Sequence, residues 1–140
     1  MRQLLILASL VASACSGPVE TAQAEGGGPA AFGVTGDDMQ VGVLGLGYPW
    51  KGEPIRDNRR QDAFGGGEAR TMQYANGLVS IFTRADGHVW RVRLQTGIGD
   101  RCGAQRDLDA GLTALRSMLA DADARISTSA GCLPTATVTA

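Results

Sequence analysis

Residues 71–95, TMQYANGLVSIFTRADGHVWRVRLQ, decide the fold class. Three β-prone runs, 71–75, 78–84 and 88–95, are separated by Asn76-Gly77 and around Asp86-Gly87. Both dipeptides tolerate the positive φ angles that tight hairpins demand, so the stretch reads as an antiparallel meander. Side chains alternate across a strand. In the third run this puts His88, Trp90, Val92 and Leu94 on one face, and Val89, Arg91, Arg93 and Gln95 on the other. One face is expected to pack and the other to meet solvent.

Downstream, residues 105–123, QRDLDAGLTALRSMLADAD, read as a helix, because Leu108, Leu112, Leu115, Leu119 and Ala122 recur on one stripe. Gly111 inside it costs about 1 kcal/mol relative to alanine unless it lets the helix approach the sheet closely. Upstream, residues 39–47, MQVGVLGLG, read as a glycine-rich first strand. Tyr48-Pro49-Trp50 then makes a turn. Residues 51–70, with mixed charge and the run Gly65-Gly66-Gly67, are expected to be a solvated, mobile loop. The tail, 135–140, is β-prone but short, suited to an edge strand or to fraying. Together these features predict a single small α+β domain over 33–140, an antiparallel sheet of about four strands (a β-meander) packed by one amphipathic helix.

The N-terminus addresses location. Residues 1–14, MRQLLILASLVASA, combine a basic Arg2, an apolar run over 4–11 and small residues, the three parts of an export signal. The run is far shorter than the roughly 20 residues that span a bilayer. Ala12-Ser13-Ala14-Cys15 resembles the lipobox of bacterial lipoproteins, with Ala12 where that class usually has a larger aliphatic residue. The resemblance implies a signal peptide over 1–14, lipidation of Cys15, and a flexible tether over 15–32. Ser16 in place of aspartate points to outer-membrane anchoring on the periplasmic side. An alternative exit at Ala22-Gln23-Ala24 would release a soluble periplasmic chain beginning at Glu25. With Cys15 lipidated, Cys102 and Cys132 form an even pair suited to a disulfide outside the cytoplasm. Such a bridge would close a loop of about 30 residues and contribute roughly 3–4 kcal/mol.

Composition narrows the function classes. The formal net charge of −1 argues against a dedicated nucleic-acid binder. One histidine, His88 beside a turn, gives little basis for Ser-His-Asp or Cys-His catalysis. No Cys-x-x-Cys occurs, and Gly45-x-Gly47 leads into Tyr48-Pro49 rather than a helix start, so neither a zinc site nor a nucleotide loop is assigned. No catalytic residue, metal or cofactor is expected.

Two features suit binding. Residues 84–106 hold five arginines, Arg84, Arg91, Arg93, Arg101 and Arg106, against Asp86 and Asp100. Guanidinium groups pair with phosphate and carboxylate, and Arg84, Arg91 and Arg93 share the expected solvated sheet face. The plainer reading is a charged edge that discourages aggregation. The turn bearing Trp50, with Phe64 downstream, either presents aromatics to a partner or covers one end of the core. The meander's wording is similar to that of small helix-plus-meander envelope lipoproteins. That class places its helices before the meander, so no domain family is assigned. The sequence therefore leads to a non-catalytic envelope lipoprotein, a binding or accessory module contacting envelope protein or anionic lipid. The alternative is a structural or surface component, adhesive or matrix-associated, suggested by the glycine-rich strand and the Thr/Ala-rich tail.

Overall fold

A computed structural model describes residues 28–97, 101–120, 124–129 and 133–140, without the side chains of Arg101 and Cys102. The export signal, Cys15, both cleavage sites and the pairing of Cys102 with Cys132 lie outside the described residues.

The fold is α+β; the described residues form an open antiparallel sheet of six strands and two helices. In chain order these are α1 (Gly36–Leu44), β1 (Arg56–Gln61), β2 (Gly66–Tyr74), β3 (Gly77–Arg84), β4 (Val89–Thr96), α2 (Arg101–Leu119), β5 (Arg125–Ser129) and β6 (Thr135–Thr139). The strands lie in the order β1-β2-β3-β4-β6-β5. The meander of β2, β3 and β4 sits at the centre, and its second turn uses Asp86-Gly87 as expected, with Gly87 at a φ of 85°. One of the four expected strands is a helix, and three other segments complete the sheet: β1 and β5, which carry no strand signal, at its edges, and the tail as β6.

The first expected strand is instead a helix. Thr35 caps α1, its Oγ1 accepting the Asp38 N–H at 3.2 Å, and Asp37 and Asp38 lie in the first turn where the helix dipole favours acid. Met39 and Val43, four apart, are buried on one face. The Val/Gly alternation in this segment imitates a strand, but the cap and the spacing of four prevail. Phe32, expected in the tether, is 2% exposed and belongs to the core, its N–H donating to Val89 O at 2.7 Å.

The expected loop over 51–70 contains β1 and the start of β2. All six β1 residues, Arg56 to Gln61, are exposed. Such an edge has no apolar alternation to reveal it, and its charges discourage pairing with another chain. The glycine run is not slack. A Cβ on Gly65 would stand 2.7 Å from Thr83 O and 2.8 Å from Asp62 Oδ2, and one on Gly67 would stand 2.6 Å from Thr83 O. The glycines let this hairpin end lie directly on β3.

Both helices pack on one face of the sheet, α1 against β3 and α2 against β4 and β6. Between the layers lie Met39, Val43, Trp50, Met72, Val79, Ile81, Val92, Leu94, Leu108, Leu112, Leu115 and Val138. Helix α2 begins at Arg101, earlier than expected, and stops at Leu119, where Ala120 takes a positive φ of 47°. The tail is neither an edge nor frayed. β6 is interior, between β4 and β5.

Close approach explains Gly111. A Cβ there would lie 2.6 Å from Trp50 Cζ3 and 2.9 Å from Leu94 Cδ1. Gly111→Ala is expected to lower stability by about 1–2 kcal/mol, because overpacking outweighs the gain in helix propensity. A urea midpoint that rises instead would show that the indole yields.

Candidate functional site

The face of the sheet opposite the helices is the candidate site. Register assigns its residues. Met72, Val79, Leu94 and Ala136 align on the helix-packed side, so their strand neighbours project the other way. That outer side carries Arg56, Asn58 and Arg60 from β1, Thr71 from β2, Ser80 and Arg84 from β3, and Arg91 and Arg93 from β4. β6 adds Thr137 and Thr139, and β5 adds Arg125 and Ser127. At about 4.8 Å between neighbours, six strands spread these groups over about 24 Å. Among the described strand residues projecting this way there is no Asp or Glu.

Of the sequence-predicted binding residues, Arg84, Arg91 and Arg93 all fall on this face. Arg93 is exposed, while Arg84 and Arg91 are half-buried. Arg106 is on α2, in the other layer, and the side chain of Arg101 is outside the described residues. Trp50 is only 1% exposed, and its Nε1–H donates to Leu78 O at 3.3 Å and Gln95 O at 3.2 Å. It closes one end of the core, so its indole is withdrawn from any partner. Sequence reasoning misses Arg56, Arg60 and Arg125, because their strands carry no burial pattern. The signal available for the first two is the density of arginine in RDNRRQ.

A bulge shapes the centre of the face. Phe82 pairs with Arg91 but Thr83 pairs with Val89, leaving Trp90 as an extra residue on β4. The phase of the strand therefore flips. Val89 enters the main core, and Trp90, expected beside Val92 and Leu94, joins Phe82 and Ala69 in a small cluster on the outer side. The Phe82 and Trp90 rings are 6.2 Å apart and inclined at 60°. Arg91 lies across both, its guanidinium carbon 3.8 Å from the Phe82 centroid and 4.5 Å from that of Trp90. Such stacking holds the planar fork in one orientation. Its Nε is buried without a hydrogen-bond partner, and burial draws the Arg91 pKa down, against the pull of Asp62.

Asp62 fastens this cluster to the β1–β2 hairpin. It is 4% exposed. Its carboxylate accepts Trp90 Nε1–H at 2.9 Å and the backbone N–H groups of Phe64 and Gly65 at 3.1 Å each. This carboxylate beside the arginine face is thus already occupied by neutral donors. At the β3–β4 turn, His88 donates its backbone N–H to Asp86 at 3.1 Å, which holds the Asp86 carboxyl below the usual range.

The turn between β2 and β3 is formed by Ala75 and Asn76, one residue earlier than expected, and neither has positive φ. Beside it lies a cleft of about 190 Å³ lined by Gln73, Asn76, Gln95 and Leu133. It is smaller than typical small-molecule sites of about 300–1,000 Å³, and among the described residues no charged side chain lines it. Among the described residues no group of three or more His, Cys, Asp and Glu could hold a metal, and no helix is long and apolar enough to cross a membrane. The chain matches no protein-family model, no curated protein and no solved structure.

Proposed function

We propose that the protein is a non-catalytic binding module of the bacterial envelope whose outer sheet face engages clustered anionic groups. Export, lipidation of Cys15 and the Cys102–Cys132 disulfide complete this reading. The tether from Cys15 would hold the domain beside a membrane, with an anionic lipid or acidic protein surface within reach. One observation carries the reading: Arg56, Arg60, Arg84, Arg91, Arg93 and Arg125 share a face with hydroxyl side chains and no strand carboxylate among the described residues. Arg91 is additionally oriented by two rings. An ordinary solvated sheet face mixes both signs of charge, whereas the strands of this one present a single sign, with the neighbouring Asp62 occupied by neutral donors, in a chain of net charge −1.

The structural-component alternative loses both of its supports. The glycine-rich segment forms α1, and the Thr/Ala-rich tail forms the interior strand β6.

The test reverses the exposed charges and spares Arg91, whose guanidinium packs on the rings. Arg60→Glu, Arg93→Glu and Arg125→Glu together should weaken co-flotation with phosphatidylglycerol vesicles by at least about a hundredfold, since each cation near an anionic surface contributes about 1 kcal/mol. The parent's binding should fall steeply with added salt. The melting temperature should stay close to the parent's, because all three side chains are exposed. Unchanged binding of the triple variant to vesicles and to acidic proteins would remove the arginine face from consideration.

A further inference from the structure

The hairpin between β1 and β2 ends in a large apolar side chain that stands clear of the core. Phe64 is 78% exposed, the highest value among the exposed large apolar residues described. Exposed phenylalanines on loose loops are common, but this one is held firmly. The Asp62 carboxylate accepts the Phe64 N–H and the Gly65 N–H, Gly66 N–H donates to Asp62 O at 3.0 Å, and Asp62 N–H donates to Gly67 O at 2.8 Å. The same carboxylate takes the Trp90 indole N–H. Gly65 is seated so closely on Trp90 Nε1 and Thr83 O that a Cβ would not fit.

Those contacts also decide which way the loop leans. Trp90 is on the outer side of the sheet because of the β4 bulge. A loop seated on Trp90 through Asp62 and Gly65 lies toward the outer side of the sheet, which places Phe64, between those two residues in the chain, at the border of the arginine face. Arg60 and Arg84 are near by register: Arg60 is two residues before Asp62, and Arg84 pairs with Gly66. A rigid, exposed aromatic bordering a plane of cations fits a surface that is apolar beneath and anionic on top. Phosphate headgroups meet the guanidiniums, while the ring enters the acyl boundary just below them.

We propose that Phe64 is a preorganised insertion anchor, which docks the arginine face flat on a bilayer containing anionic lipid. The inference rests on the arginine face being an anion-binding surface. Asp62 and the Gly65-Gly66-Gly67 run serve as positioning residues, holding the tip so that little conformational entropy is lost on insertion.

The experiment uses the full chain with Cys15→Ser, so that no acyl group contributes, and places a fluorescent reporter at the tip with Phe64→Trp. Trp50 and Trp90 are 1% and 8% exposed, and their contribution, with and without vesicles, is measured on the same chain with Phe64 intact and subtracted. Vesicles contain equimolar phosphatidylglycerol and phosphatidylcholine with brominated acyl chains. The emission of the tip indole is expected to shift to the blue and be quenched. Neither change is expected with phosphatidylcholine alone or in the Arg60→Glu, Arg93→Glu, Arg125→Glu background. Phe64→Ser should weaken vesicle binding about tenfold, as loss of one partly buried aromatic predicts. Arginine-dependent flotation with the tip indole unshifted and unquenched would overturn the anchor, leave the anion-binding face standing, and favour an acidic protein as its partner. Equal quenching in phosphatidylcholine would overturn the commitment to anionic lipid. Flotation indifferent to the arginines would overturn both readings.

Discussion

Trp50→Ala is expected to lower stability by about 3–5 kcal/mol, the largest effect of any single substitution considered for this domain. The indole is 1% exposed and lies under Gly111 of α2, within reach of Leu94 on β4. Its Nε1–H reaches across to Leu78 O on β3 and Gln95 O on β4. One side chain thus joins the segment after α1, two central strands and the second helix. Removing it opens a cavity where three elements meet and takes a donor from two carbonyls. Against a total of about 5–15 kcal/mol, such a loss brings a small domain close to unfolding. Urea titration followed by far-ultraviolet circular dichroism gives the measurement. Trp50→Phe separates the two contributions: most of the volume stays while the donor is lost, and the expected cost falls to about 1–2 kcal/mol. If alanine costs no more than phenylalanine, the indole is not the closure of the core.

The second large effect concerns Arg70 and Asp57. Arg70 is 7% exposed, on the helix-packed side of β2 at the Ile81 level. Its Nε–H donates to Asp57 Oδ1 at 2.9 Å and Oδ2 at 3.0 Å, a second nitrogen also bonds Asp57, and the remaining one bonds Gln40 of α1. The pair thereby ties edge strand β1 and helix α1 to the sheet. Asp57→Asn leaves a nearly buried guanidinium facing a neutral amide. Breaking a fully buried pair costs about 3–5 kcal/mol; with the Asp57 side chain 30% exposed, about 2 kcal/mol is expected at neutral pH.

The pH dependence has a definite sign. The hydrogen bond from Arg70 holds the Asp57 carboxyl below its ordinary value of 3.8, against the opposing effect of burial. A depressed carboxylate contributes stability that is complete above its unfolded pKa and is lost as pH falls through the folded one. Parent and Asp57→Asn should therefore differ fully at pH 7, and their urea midpoints should converge once pH drops below 3.8. A constant difference down to acid pH would show that the loss arises from packing and not from charge.

Much of this is legible in the chain, and the parts that are not share causes. The central meander can be read because turn residues and alternation act over a few residues, even though the first turn falls at Ala75-Asn76 and only Gly87 in the second takes a positive φ. Helix α2 can be read because Leu108, Leu112, Leu115 and Leu119 repeat with the helical period. Helix α1 cannot, since Val41, Val43 and the interleaved glycines imitate a strand, and only the Thr35 cap with Asp37 and Asp38 opposes that pattern. β1 is hidden for another reason: Arg56 to Gln61 bury nothing, so burial patterning has no hold on them. Alternation puts Trp90 on the wrong face because it counts residues and does not anticipate a bulge.

The candidate site divides in the same way. Arg84, Arg91 and Arg93 are recognisable as a local excess of cations. Their union with Arg56, Arg60 and Arg125 depends on β1 and β5 pairing at opposite edges of one sheet, a relation between segments far apart in the chain. By itself the sequence determined the α+β class, the meander and one amphipathic helix, because those depend on local turn chemistry and short periods. Tertiary structure alone decided which strands form the edges, that Trp50 is core, that Arg91 lies across two rings, and that the arginines share the face turned away from the helices. Each of these follows from contacts between distant residues, and no local period encodes them.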